Sequence, residues 1–494
     1  MYIGGLDIGT TGCKLTVFNE QGEQLTKAYC DYPHLTKTGT YEVDANAILE
    51  GVFQVIKEVA NVYPDLAGIG ITSFGETFVA TDIDGKPLRN SMLYIDPRGE
   101  KQCEVLCEKL SAEHIADISG VEPHSMYSLP KIMWLKENEP DIYDKTNHIF
   151  LMEDYVVYHL TGQKKIDYSL ATRTMGFDIR KLTWSKEIFE AAGVDVSLMS
   201  EVVPTGTLAG QITEDVAKKT GLSLGTKIVC ISHDQIAAAV GAGVFDSSTA
   251  VDGAGTVECI TPIYDEIPDM RVMTKGKYAV VPYAILGKYV CYAFSYTGGS
   301  LIQWCVDTLA KKEKELAKEK DISVNKYLEE LSESPTGLLV LPHFAGAATP
   351  YMDNGSKGTI VGMTTETTVA DIYRGCMEGV VYEMVLNMDW LKDSGIHFTS
   401  LKATGGGAHS EVWMQMKADM LNMPITSLET VDAGTVGSAM LTGIAVGAFK
   451  DLDEAAKIMV HPVKTYEPRE NMHKEYMEYY EKYARLYNSV RELM

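Results

Sequence analysis

Alternating apolar and polar positions along the first half of the chain predict short strands separated by turns and helices. Residues 2–18 alternate in this way around a Gly/Thr turn, which is typical of two strands joined by a tight loop. A helical period follows at 44–62, and the apolar run at 66–74 predicts a buried strand. A turn at Asp84-Gly85 and a helix near 98–110 continue the order. The sequence therefore predicts an α/β fold.

The same succession of elements begins again near residue 248. The segment STAVDGAGTVECITP places an aspartate and a Gly-Thr turn between two apolar strands, as the chain start does. Two copies of one unit indicate a duplicated nucleotide-binding domain, whereas two unrelated β-hairpins are the alternative. A small-residue helix at 236–247 leads out of the first half, so we expect two domains, 1–245 and 246–494. The charged stretch 311–333 is typical of a solvated helix face.

Net charge and cysteine content narrow the class of protein. The 494 residues include 44 basic and 68 acidic side chains, and the net charge of −24 disfavours nucleic acid and anionic membranes as partners. The chain start lacks a basic segment followed by an apolar one, and no apolar run reaches spanning length. Nine cysteines, without paired spacing beyond Cys103/Cys107, argue against a disulfide framework and a zinc ribbon. These features predict a cytoplasmic protein.

The glycine turn of the first strand pair has the chemistry of a phosphate-binding loop. In Asp7-Ile8-Gly9-Thr10-Thr11-Gly12 the glycines let backbone N–H groups approach an anion, and the threonine hydroxyls add donors. Asp7, at a strand end, is a candidate ligand of hydrated Mg²⁺, which prefers carboxylates, water and phosphates. An ordinary glycine turn with an aspartate cap is the alternative.

Three further glycine clusters lie in the second half. The turn Gly253-Ala254-Gly255-Thr256 repeats the first loop, so the two together can hold phosphates from both sides of a cleft. The run Thr404-Gly405-Gly406-Gly407-Ala408-His409 joins an apolar strand to a helix, a junction that suits a nucleotide. Thr297-Gly298-Gly299-Ser300 has the same character but fits a helix cap equally well. Neither a Rossmann fingerprint nor a Walker A motif is present.

A carboxylate at another strand end is the candidate catalytic base. The apolar strand KIVCIS leads directly into His233-Asp234-Gln235 and an alanine-rich helix. A carboxylate placed there can accept a proton from a sugar hydroxyl, as phosphoryl transfer requires. The alternatives are that Asp234 only caps the helix and that His233 only packs at the strand end.

Together these segments strongly resemble the FGGY family of carbohydrate kinases, which share the fold of actin, hexokinase and Hsp70. The segment 126–138, with its Lys and Trp in register, matches the first signature of the family. The segment 358–378 matches the second, from which Gly375 and Cys376 depart. The resemblance implies two duplicated actin-like (ribonuclease H-like) ATPase domains, the first holding the sugar and the base and the second the nucleotide.

The resemblance also implies roles for individual residues. Asp234 takes the position of the catalytic base, and Asp7 that of the metal ligand. The nucleotide and its phosphates are assigned to residues of four glycine segments: Gly9, Thr10, Thr11, Gly255, Thr256, Gly299, Gln303, Gly405, Gly406, Gly407 and Ala408.

The sugar pocket implied by the resemblance lies beside the candidate base. Glu76 matches the carboxylate that glycerol kinases place on the polyol, but Gly75 stands where they have an arginine, which argues against glycerol. Tyr94 stands where many relatives have Trp, and its ring and hydroxyl suit a sugar. His233 before Asp234 resembles the deoxysugar kinases that act on fuculose and rhamnulose.

The resemblance therefore implies a kinase that uses ATP and Mg²⁺ to phosphorylate a small ketose or polyol, similar to xylulose kinases. A deoxyketose is the alternative substrate, and a homodimer is compatible with the sequence. The rival from another class is a non-catalytic nucleotide-binding protein of the actin type, which would need neither Asp234 nor Glu76.

Overall fold

Two large β-sheets, one in each half of the chain, organise the structure. The structure is a computed structural model that describes residues 1–37, 39–333, 335–430 and 432–494. The elements of the first half, in chain order, are β1 (Tyr2–Ile8), β2 (Gly12–Asn19), β3 (Gln24–Asp31), β4 (His34–Lys37), β5 (Thr40–Val43), α1 (Ala45–Ala60), β6 (Leu66–Ser73), β7 (Val79–Thr81), β8 (Ser91–Met92), α2 (Glu100–Leu110), α3 (Ala112–Ser119), α4 (Ser128–Asn138), α5 (Pro140–Tyr143), β9 (His148–Phe150), α6 (Met152–Thr161), β10 (Lys165–Asp167), α7 (Tyr168–Thr172), β11 (Phe177–Asp178), β12 (Thr183–Trp184), α8 (Lys186–Ala192), β13 (Glu201–Val203), β14 (Thr207–Gln211), α9 (Glu214–Thr220), β15 (Lys227–His233) and α10 (Asp234–Gly241).

The second half contains a similar alternation of strands and helices. In chain order its elements are β16 (Thr249–Ala254), β17 (Glu258–Tyr264), α11 (Met270–Lys275), β18 (Val281–Pro282), β19 (Tyr289–Val290), β20 (Ala293–Ser295), α12 (Gly299–Thr308), α13 (Lys311–Glu319), α14 (Val324–Leu331), β21 (Leu339–Leu341), β22 (Thr359–Val361), α15 (Val369–Asp393), β23 (Ser400–Thr404), α16 (Glu411–Leu421), β24 (Ile425–Leu428), α17 (Ala433–Val446), α18 (Leu452–Met459), β25 (Pro462–Tyr466), α19 (Glu470–Tyr483) and α20 (Leu486–Val490).

The elements expected from the hydrophobic pattern are present, with small shifts at their ends. The helical period at 44–62 forms α1, whose cap Asp44 accepts a hydrogen bond from the Asn46 amide at 2.9 Å. The expected strand at 66–74 is β6, and the charged stretch 311–333 forms α13 and α14, which are mostly exposed. Within the described residues, no helix is both long and apolar enough to cross a membrane.

The first sheet brings three functional segments to one edge. Its strand order is β14-β15-β6-β1-β2-β3, with β6 parallel to β1 and to β15. In the register of these parallel strands Ile8 lies opposite Ser73, and Ser73 lies opposite His233. The residues that follow each strand therefore meet at the carboxyl edge of the sheet, which is where ligands bind in open α/β sheets.

The second sheet repeats this arrangement. Its order is β18-β19-β17-β16-β23-β24-β25, with β20 also paired to β17. The hairpin β16–β17 is antiparallel like β1–β2, and β23 and β24 continue parallel to β16 as β6 and β15 do to β1. The expected internal repeat is confirmed, and the alternative of two unrelated hairpins is wrong.

Helix α17 carries the second half of the chain back onto the first sheet. The Ser438 hydroxyl donates to the Gly70 carbonyl of β6 at 2.9 Å, and α17 also packs along β1 and α10. Helix α10 begins at Asp234, so the packing between the two halves lies next to the candidate base. The division near residue 245 stays a prediction.

Candidate active site

The first glycine loop, residues 9–11, connects β1 to β2 at the carboxyl edge of the first sheet. The Gly9 amide closes it by donating to the Gly12 carbonyl at 2.9 Å. Tyr32 braces it, because its hydroxyl donates to the Gly9 carbonyl and its amide donates to the Thr11 carbonyl at 3.1 Å. The loop carbonyls are thus used within the protein, whereas Thr11 is exposed and Thr10 half-buried.

Asp7 lies at the end of β1, beside this loop and within a cluster of charges. Lys14 Nζ is 3.7 Å from Asp7 Oδ2 and donates to Asp432 Oδ1 at 2.8 Å. Burial raises the pKa of Asp7 to about 6; Lys14 opposes the shift, whereas the charges of Asp234 and Asp432 add to it. The carboxylates therefore repel one another, an arrangement that a bound cation would relieve.

Asp234 begins α10 directly after β15. Its Oδ1 atom is buried and lies 3.4 Å from His233 Nδ1, and neither atom has a hydrogen-bond partner within the described part of the chain. The N-cap residue of α10 is His233, which makes no side-chain cap hydrogen bond, whereas the Asp234 carboxylate accepts a hydrogen bond from the Gln235 amide, so the alternative of a capping role for Asp234 stays open. Burial raises the pKa of Asp234 to about 6. Burial, together with the Arg173 cation, lowers the pKa of His233 to about 3, so the imidazole is neutral.

Glu76 is paired with Arg173, a residue to which no sequence pattern pointed. Arg173 Nε donates to Glu76 Oε1 at 2.5 Å, and a second guanidinium nitrogen contacts the same oxygen. Both side chains are buried, with exposed fractions of 8% and 7%. Burial by itself would lower the pKa of Arg173, but the adjacent Glu76 carboxylate outweighs it and raises that pKa. Arg173 is therefore a buried cation beside the candidate base.

The inference that Gly75 leaves Glu76 without a guanidinium is wrong. A Cβ atom at Gly75 would lie 2.8 Å from Arg173 Cγ and 3.2 Å from His233 Cδ2. The space beside Gly75 is thus filled by these two side chains, because a larger residue would collide with them. The sequence argument against glycerol, which rested on the missing arginine, is withdrawn for the same reason.

Two elements hold this ion pair in place. Asp167 caps α7, because its carboxylate accepts hydrogen bonds from the amides of the second and third helical residues, each at 2.9 Å. Arg173 directly follows the last residue of α7, so the cap at the helix start fixes the segment from which Arg173 reaches Glu76. On the other side, α4 begins at Ser128, whose hydroxyl donates to the Glu76 carbonyl at 2.7 Å. The segment that matches the first family signature therefore supports the pocket.

Tyr94 lies on a loop that packs against α4, the helix of the segment 126–138 that matches the first family signature. Lys131 of α4 is fully buried, donates to the Asp96 carbonyl at 2.7 Å, and has its pKa lowered to about 8 by burial. Partial burial and the charges of Glu76 and Asp234 raise the pKa of the Tyr94 hydroxyl. Tyr94 is 41% exposed, so its side of the pocket is open to solvent, and its role as a sugar contact stays a prediction.

Tyr292, from the second half, is a further pocket residue that the sequence did not indicate. Its ring lies 5.6 Å from the His233 ring, and the Arg173 guanidinium is 6.0 Å from its centroid. Tyr292 is only 7% exposed, yet its hydroxyl has no hydrogen-bond partner among the described residues. Buried polar atoms are normally paired, so this hydroxyl is a candidate ligand contact.

The second glycine loop is held by the start of α12. The amides of Gly298 and Gly299 donate to the carbonyls of Thr256 and Gly255 at 3.0 and 2.8 Å. A Cβ atom at Gly299 would lie 2.7 Å from the Gly255 carbonyl oxygen, so the close approach requires glycine. The Gly299 amide is thus used inside the protein. Gln303 is exposed one turn later, and its side chain donates to Asp307 at 2.9 Å.

A buried lysine ties both ends of this second loop to the helix after the third. Lys417 of α16 is 1% exposed and donates to Asp252 Oδ2 at 2.7 Å and to Glu258. Asp252 precedes the loop and Glu258 follows it. The ammonium therefore sets the loop in a fixed position relative to α16.

The third glycine loop packs directly on the second. Gly405 has a φ of 88°, and a Cβ atom there would lie 2.7 Å from the Ala254 carbonyl oxygen. A Cβ atom at Gly407 would lie 3.0 Å from Ala254 Cβ, whereas one at Gly406 meets nothing within 4 Å. Ala408 is buried behind the loop. Gly406 is thus the member of the loop that faces open space.

The described residues contain no group of three or more His, Cys, Asp or Glu side chains that could hold a metal ion by themselves. Asp7 and Asp234 supply two carboxylates, close enough for the charge of Asp234 to raise the pKa of Asp7. This small donor set fits Mg²⁺, which is usually bound by one or two carboxylates, with water and substrate phosphates completing its shell.

Sequence comparison with known proteins identifies similarity to carbohydrate kinases along nearly the whole chain. A family model described as the FGGY family of carbohydrate kinases, N-terminal domain, matches residues 2–241, and the C-terminal domain model matches residues 268–446. A xylulose kinase of Bacillus subtilis is 26% identical over 100% of this chain and 98% of its own length. A glycerol kinase of Enterococcus casseliflavus is 29% identical over 96% of this chain and 95% of its own.

The fold is also that of solved sugar kinases. The crystal structure of a xylulose kinase from Rhodospirillum rubrum superposes with a TM-score of 0.90 at 22% identity, covering 100% of this chain and 99% of the other. This likeness confirms the expected α/β architecture of two actin-like ATPase domains. A non-catalytic protein of the actin type no longer fits, since both halves match models of enzymes. This protein is an ATP-dependent carbohydrate kinase and belongs to the FGGY family.

Proposed function

We propose that the enzyme transfers the γ-phosphoryl group of ATP to a hydroxyl of a small ketose or polyol, in the manner of a xylulose kinase. The observation that carries this proposal is the buried Asp234 Oδ1 atom, which has no hydrogen-bond partner among the described residues and lies beside the neutral His233. A substrate hydroxyl is the group that such a carboxylate oxygen can bind and deprotonate. Glu76, Arg173 and Tyr94 offer acceptors and donors to the remaining hydroxyls.

In the proposed reaction Asp234 accepts the proton of the attacking hydroxyl. The hydroxyl oxygen forms a bond to the γ-phosphorus, the bond from that phosphorus to the bridging oxygen of ADP breaks, and the proton passes to the carboxylate. A carboxyl group with a pKa of about 6 is mostly ionised at neutral pH and therefore ready to accept it. Lys14 and the backbone amides of the glycine loops stabilise the negative charge of the phosphates.

Mg²⁺ is assigned to the cluster around Asp7 on the chemistry of the carboxylates there. A bound Mg²⁺ would supply positive charge that offsets the negative charge of the phosphates. Asp7 would hold it, and Asp234 would supply a second carboxylate, while Lys14 stays bound to Asp432.

In this proposal each half of the chain binds one of the two substrates. Residues 1–245 contain the base and most of the sugar contacts, and residues 246–494 contain the second and third glycine loops for the nucleotide. Support comes from the packing of those two loops against each other at Ala254 and from the position of Gly406 toward open space. Closure of the halves around both substrates would exclude water from the transferring group.

Gly406→Val is expected to abolish the rise in melting temperature that ATP with Mg²⁺ causes in the wild type. The added side chain meets no protein atom within 4 Å of its Cβ, so it fills the proposed nucleotide space without straining the ligand-free fold. A ligand that binds only the native state raises the melting temperature by mass action, and thermal melts with and without ATP measure this.

Gly225→Val is the matched control, because its added Cβ also meets nothing within 4 Å and it lies in the turn before β15. The control is expected to keep the ATP-induced rise. A folded Gly406→Val variant with an undiminished rise would remove the third loop from the nucleotide site.

A coupled assay of ADP release across ketoses, pentitols, tetritols and glycerol tests the substrate class. We expect a four- to six-carbon ketose or polyol to exceed glycerol by at least about tenfold in kcat/KM, because a longer chain offers more hydroxyls to Glu76, Arg173 and Tyr94 than glycerol does. One missing chain unit of a substrate typically costs about 10–200-fold in kcat/KM. Glycerol as the best substrate would contradict this placement of the pocket.

A deoxyketose is the second candidate substrate. It is supported by the resemblance of the His233-Asp234 pair to that of the deoxysugar kinases, and the His233 ring lies 5.6 Å from the Tyr292 ring. The same assay distinguishes it, since a deoxyketose would then exceed its fully hydroxylated counterpart.

A further inference from the structure

The last residues of β15, which lead into Asp234, are held only in part by the sheet. The pairing of β15 with β14 ends at Cys230, so residues 231–233 have no strand neighbour on that side within the described part of the chain. On the other side the register with β6 shifts between Cys230 and Ser232, and the Thr72 hydroxyl of β6 donates to the Ser232 carbonyl at 2.6 Å. The direction in which the chain enters α10 therefore depends on contacts outside the regular ladder.

Ser169 of α7 supplies the contact on the side that lacks a strand. Its Oγ atom accepts a hydrogen bond from the His233 amide at 2.9 Å. Ser169 is fully buried, and His233 is the residue directly before Asp234. Without this hydroxyl the His233 amide would be a buried donor without a partner, which is rare in proteins. The serine thus fixes the backbone from which the candidate base projects.

The same hydroxyl is bonded to a buried carboxylate. Ser169 Oγ donates to Asp167 Oδ1 at 2.8 Å, while the amides of Ser169 and Leu170 donate to the two carboxylate oxygens at 2.9 Å each. A serine hydroxyl has one hydrogen to donate, so once that hydrogen is committed to Asp167 the oxygen is left as the acceptor for the His233 amide. Asp167 is itself fully buried, and its amide donates to Glu153 Oε2 at 3.0 Å. The result is a fixed hydrogen-bond chain from Asp167 through Ser169 to His233.

Asp167 therefore supports two parts of the candidate active site at once. Its cap on α7 fixes the segment from which Arg173 reaches Glu76, and its bond to Ser169 extends to the strand end before Asp234. The cap needs only backbone amides, one of which belongs to residue 169 whatever its side chain. The Ser169 hydroxyl is thus not needed for the cap and has the separate effect of joining α7 to β15.

We infer that Ser169 is a positioning residue for phosphoryl transfer: its hydroxyl holds the His233 amide and thereby sets the place of the Asp234 carboxylate relative to the substrate hydroxyl. The inference rests on the proposed function, because it assumes that Asp234 is the base. Proton acceptance requires the two oxygens within hydrogen-bond reach, about 2.6–3.2 Å. A displacement of about 1 Å near the reacting groups can lower the rate on the order of 10²-fold, so a small shift of the strand end slows the reaction without preventing binding.

Ser169→Ala is expected to lower kcat for sugar phosphorylation at least about tenfold, while KM for ATP and for the sugar changes less than about twofold. A group that matters only for the geometry of the transition state affects kcat in this way. Steady-state kinetics with the best substrate of the coupled assay measure both constants, and thermal melts check that the variant is folded.

Thr205→Val is the matched control. The Thr205 hydroxyl also donates to Asp167, to Oδ2 at 2.8 Å, and it makes no other hydrogen bond among the described residues. Both variants therefore remove one hydroxyl from the same carboxylate, at the same bond length, but only Ser169→Ala also releases His233. Thr205→Val is expected to keep kcat within about threefold of the wild type.

A double-mutant cycle with Asp234→Asn shows whether Ser169 acts through the base. If it does, adding Ser169→Ala to Asp234→Asn is expected to change the residual kcat less than about twofold, because no base is left to position. A serine that only stabilises the fold would instead lower kcat by the same factor in both backgrounds.

The outcomes separate the positioning role from the reaction itself. A Ser169→Ala variant with the kcat of Thr205→Val, or a loss that is undiminished in the Asp234→Asn background, would overturn the positioning role and leave the proposed reaction standing. Near-normal turnover by Asp234→Asn, or no phosphorylation of any ketose or polyol by the wild type, would overturn the proposed function and this inference with it. Should Ser169→Ala fail to fold, Ser169→Cys replaces it in every comparison, because the thiol fills the same space but is only a weak hydrogen-bonding group.

Discussion

Asp234→Asn is expected to lower kcat for sugar phosphorylation by roughly 10²–10⁴-fold, the usual effect of removing a general base. The amide keeps the size and position of the side chain at the start of α10 but cannot accept the hydroxyl proton. The asparagine side-chain oxygen can still accept the hydrogen bond that the Gln235 amide donates to the carboxylate, so the substitution is expected to cost the fold little. Steady-state kinetics, with ATP-induced thermal shifts as a check on nucleotide binding, measure the effect.

The pH dependence of the wild type reports on the same residue together with Asp7, whose pKa burial also raises to about 6. A base acts only when it is deprotonated, and burial raises the pKa of Asp234 to about 6. The kcat/KM for the sugar is therefore expected to fall as the pH drops through about 6. His233, with its pKa lowered to about 3 by burial, stays neutral over this range and does not contribute.

Asp84→Asn is the matched control, because it makes the same chemical change in an exposed turn before β8. Its kinetics are expected to equal those of the wild type. Near-normal turnover by Asp234→Asn, or a pH profile without a descent near 6, would show that the carboxylate is not the base.

Arg173→Met is expected to lower the free energy of unfolding by about 3–5 kcal/mol, the cost of leaving a buried charge without its partner. The carboxylate affected is Glu76, whose side chain is 7% exposed and which contacts the guanidinium through a single oxygen. Methionine matches much of the aliphatic stem, so the lost charge rather than lost volume dominates. Denaturant unfolding monitored by fluorescence or circular dichroism measures the difference.

Arg180→Met is the control on the same stretch of chain. Arg180 pairs with Asp117, but these side chains are 43% and 57% exposed. Exposed ion pairs contribute about 0–1 kcal/mol, so the control is expected to be nearly neutral.

The double variant Arg173→Met/Glu76→Gln separates the buried charge from other causes. Replacing the carboxylate by a neutral amide removes the uncompensated charge, so the double variant is expected to regain much of the lost stability. Its sugar kinetics should remain poor, because the proposed contacts to the substrate hydroxyls are gone. An Arg173→Met variant as stable as the wild type would contradict the burial of the pair.

Much of the architecture was predictable because the relevant signals are local. The Gly9–Thr11 loop lies between two alternating strands, and the same pattern returns at Gly255-Thr256, so pattern and turn chemistry together indicated the duplication. Asp234 was found in the same way, since a carboxylate at the junction of a buried strand and a helix is visible within ten residues of sequence.

Several placements depended on contacts between distant parts of the chain. Arg173 lies 97 residues from Glu76, and Lys14 lies 418 residues from Asp432. Nothing in the short segment around Arg173 distinguishes it from a surface arginine. The direction of its side chain is set by the cap of α7 and by the glycine at 75, which only the folded chain brings together.

The sequence by itself determined the order of strands and helices, the glycine loops, the candidate base and the family, because each is encoded in the periodicity and turn residues of a short segment. Only the tertiary structure decided that Arg173 fills the space beside Gly75 and that Tyr292 reaches the pocket from the second half. These features arise where separate elements pack against each other. The local hydrophobic pattern predicts which face of an element is buried. It does not predict which other elements pack against that face, because this depends on how the whole chain folds.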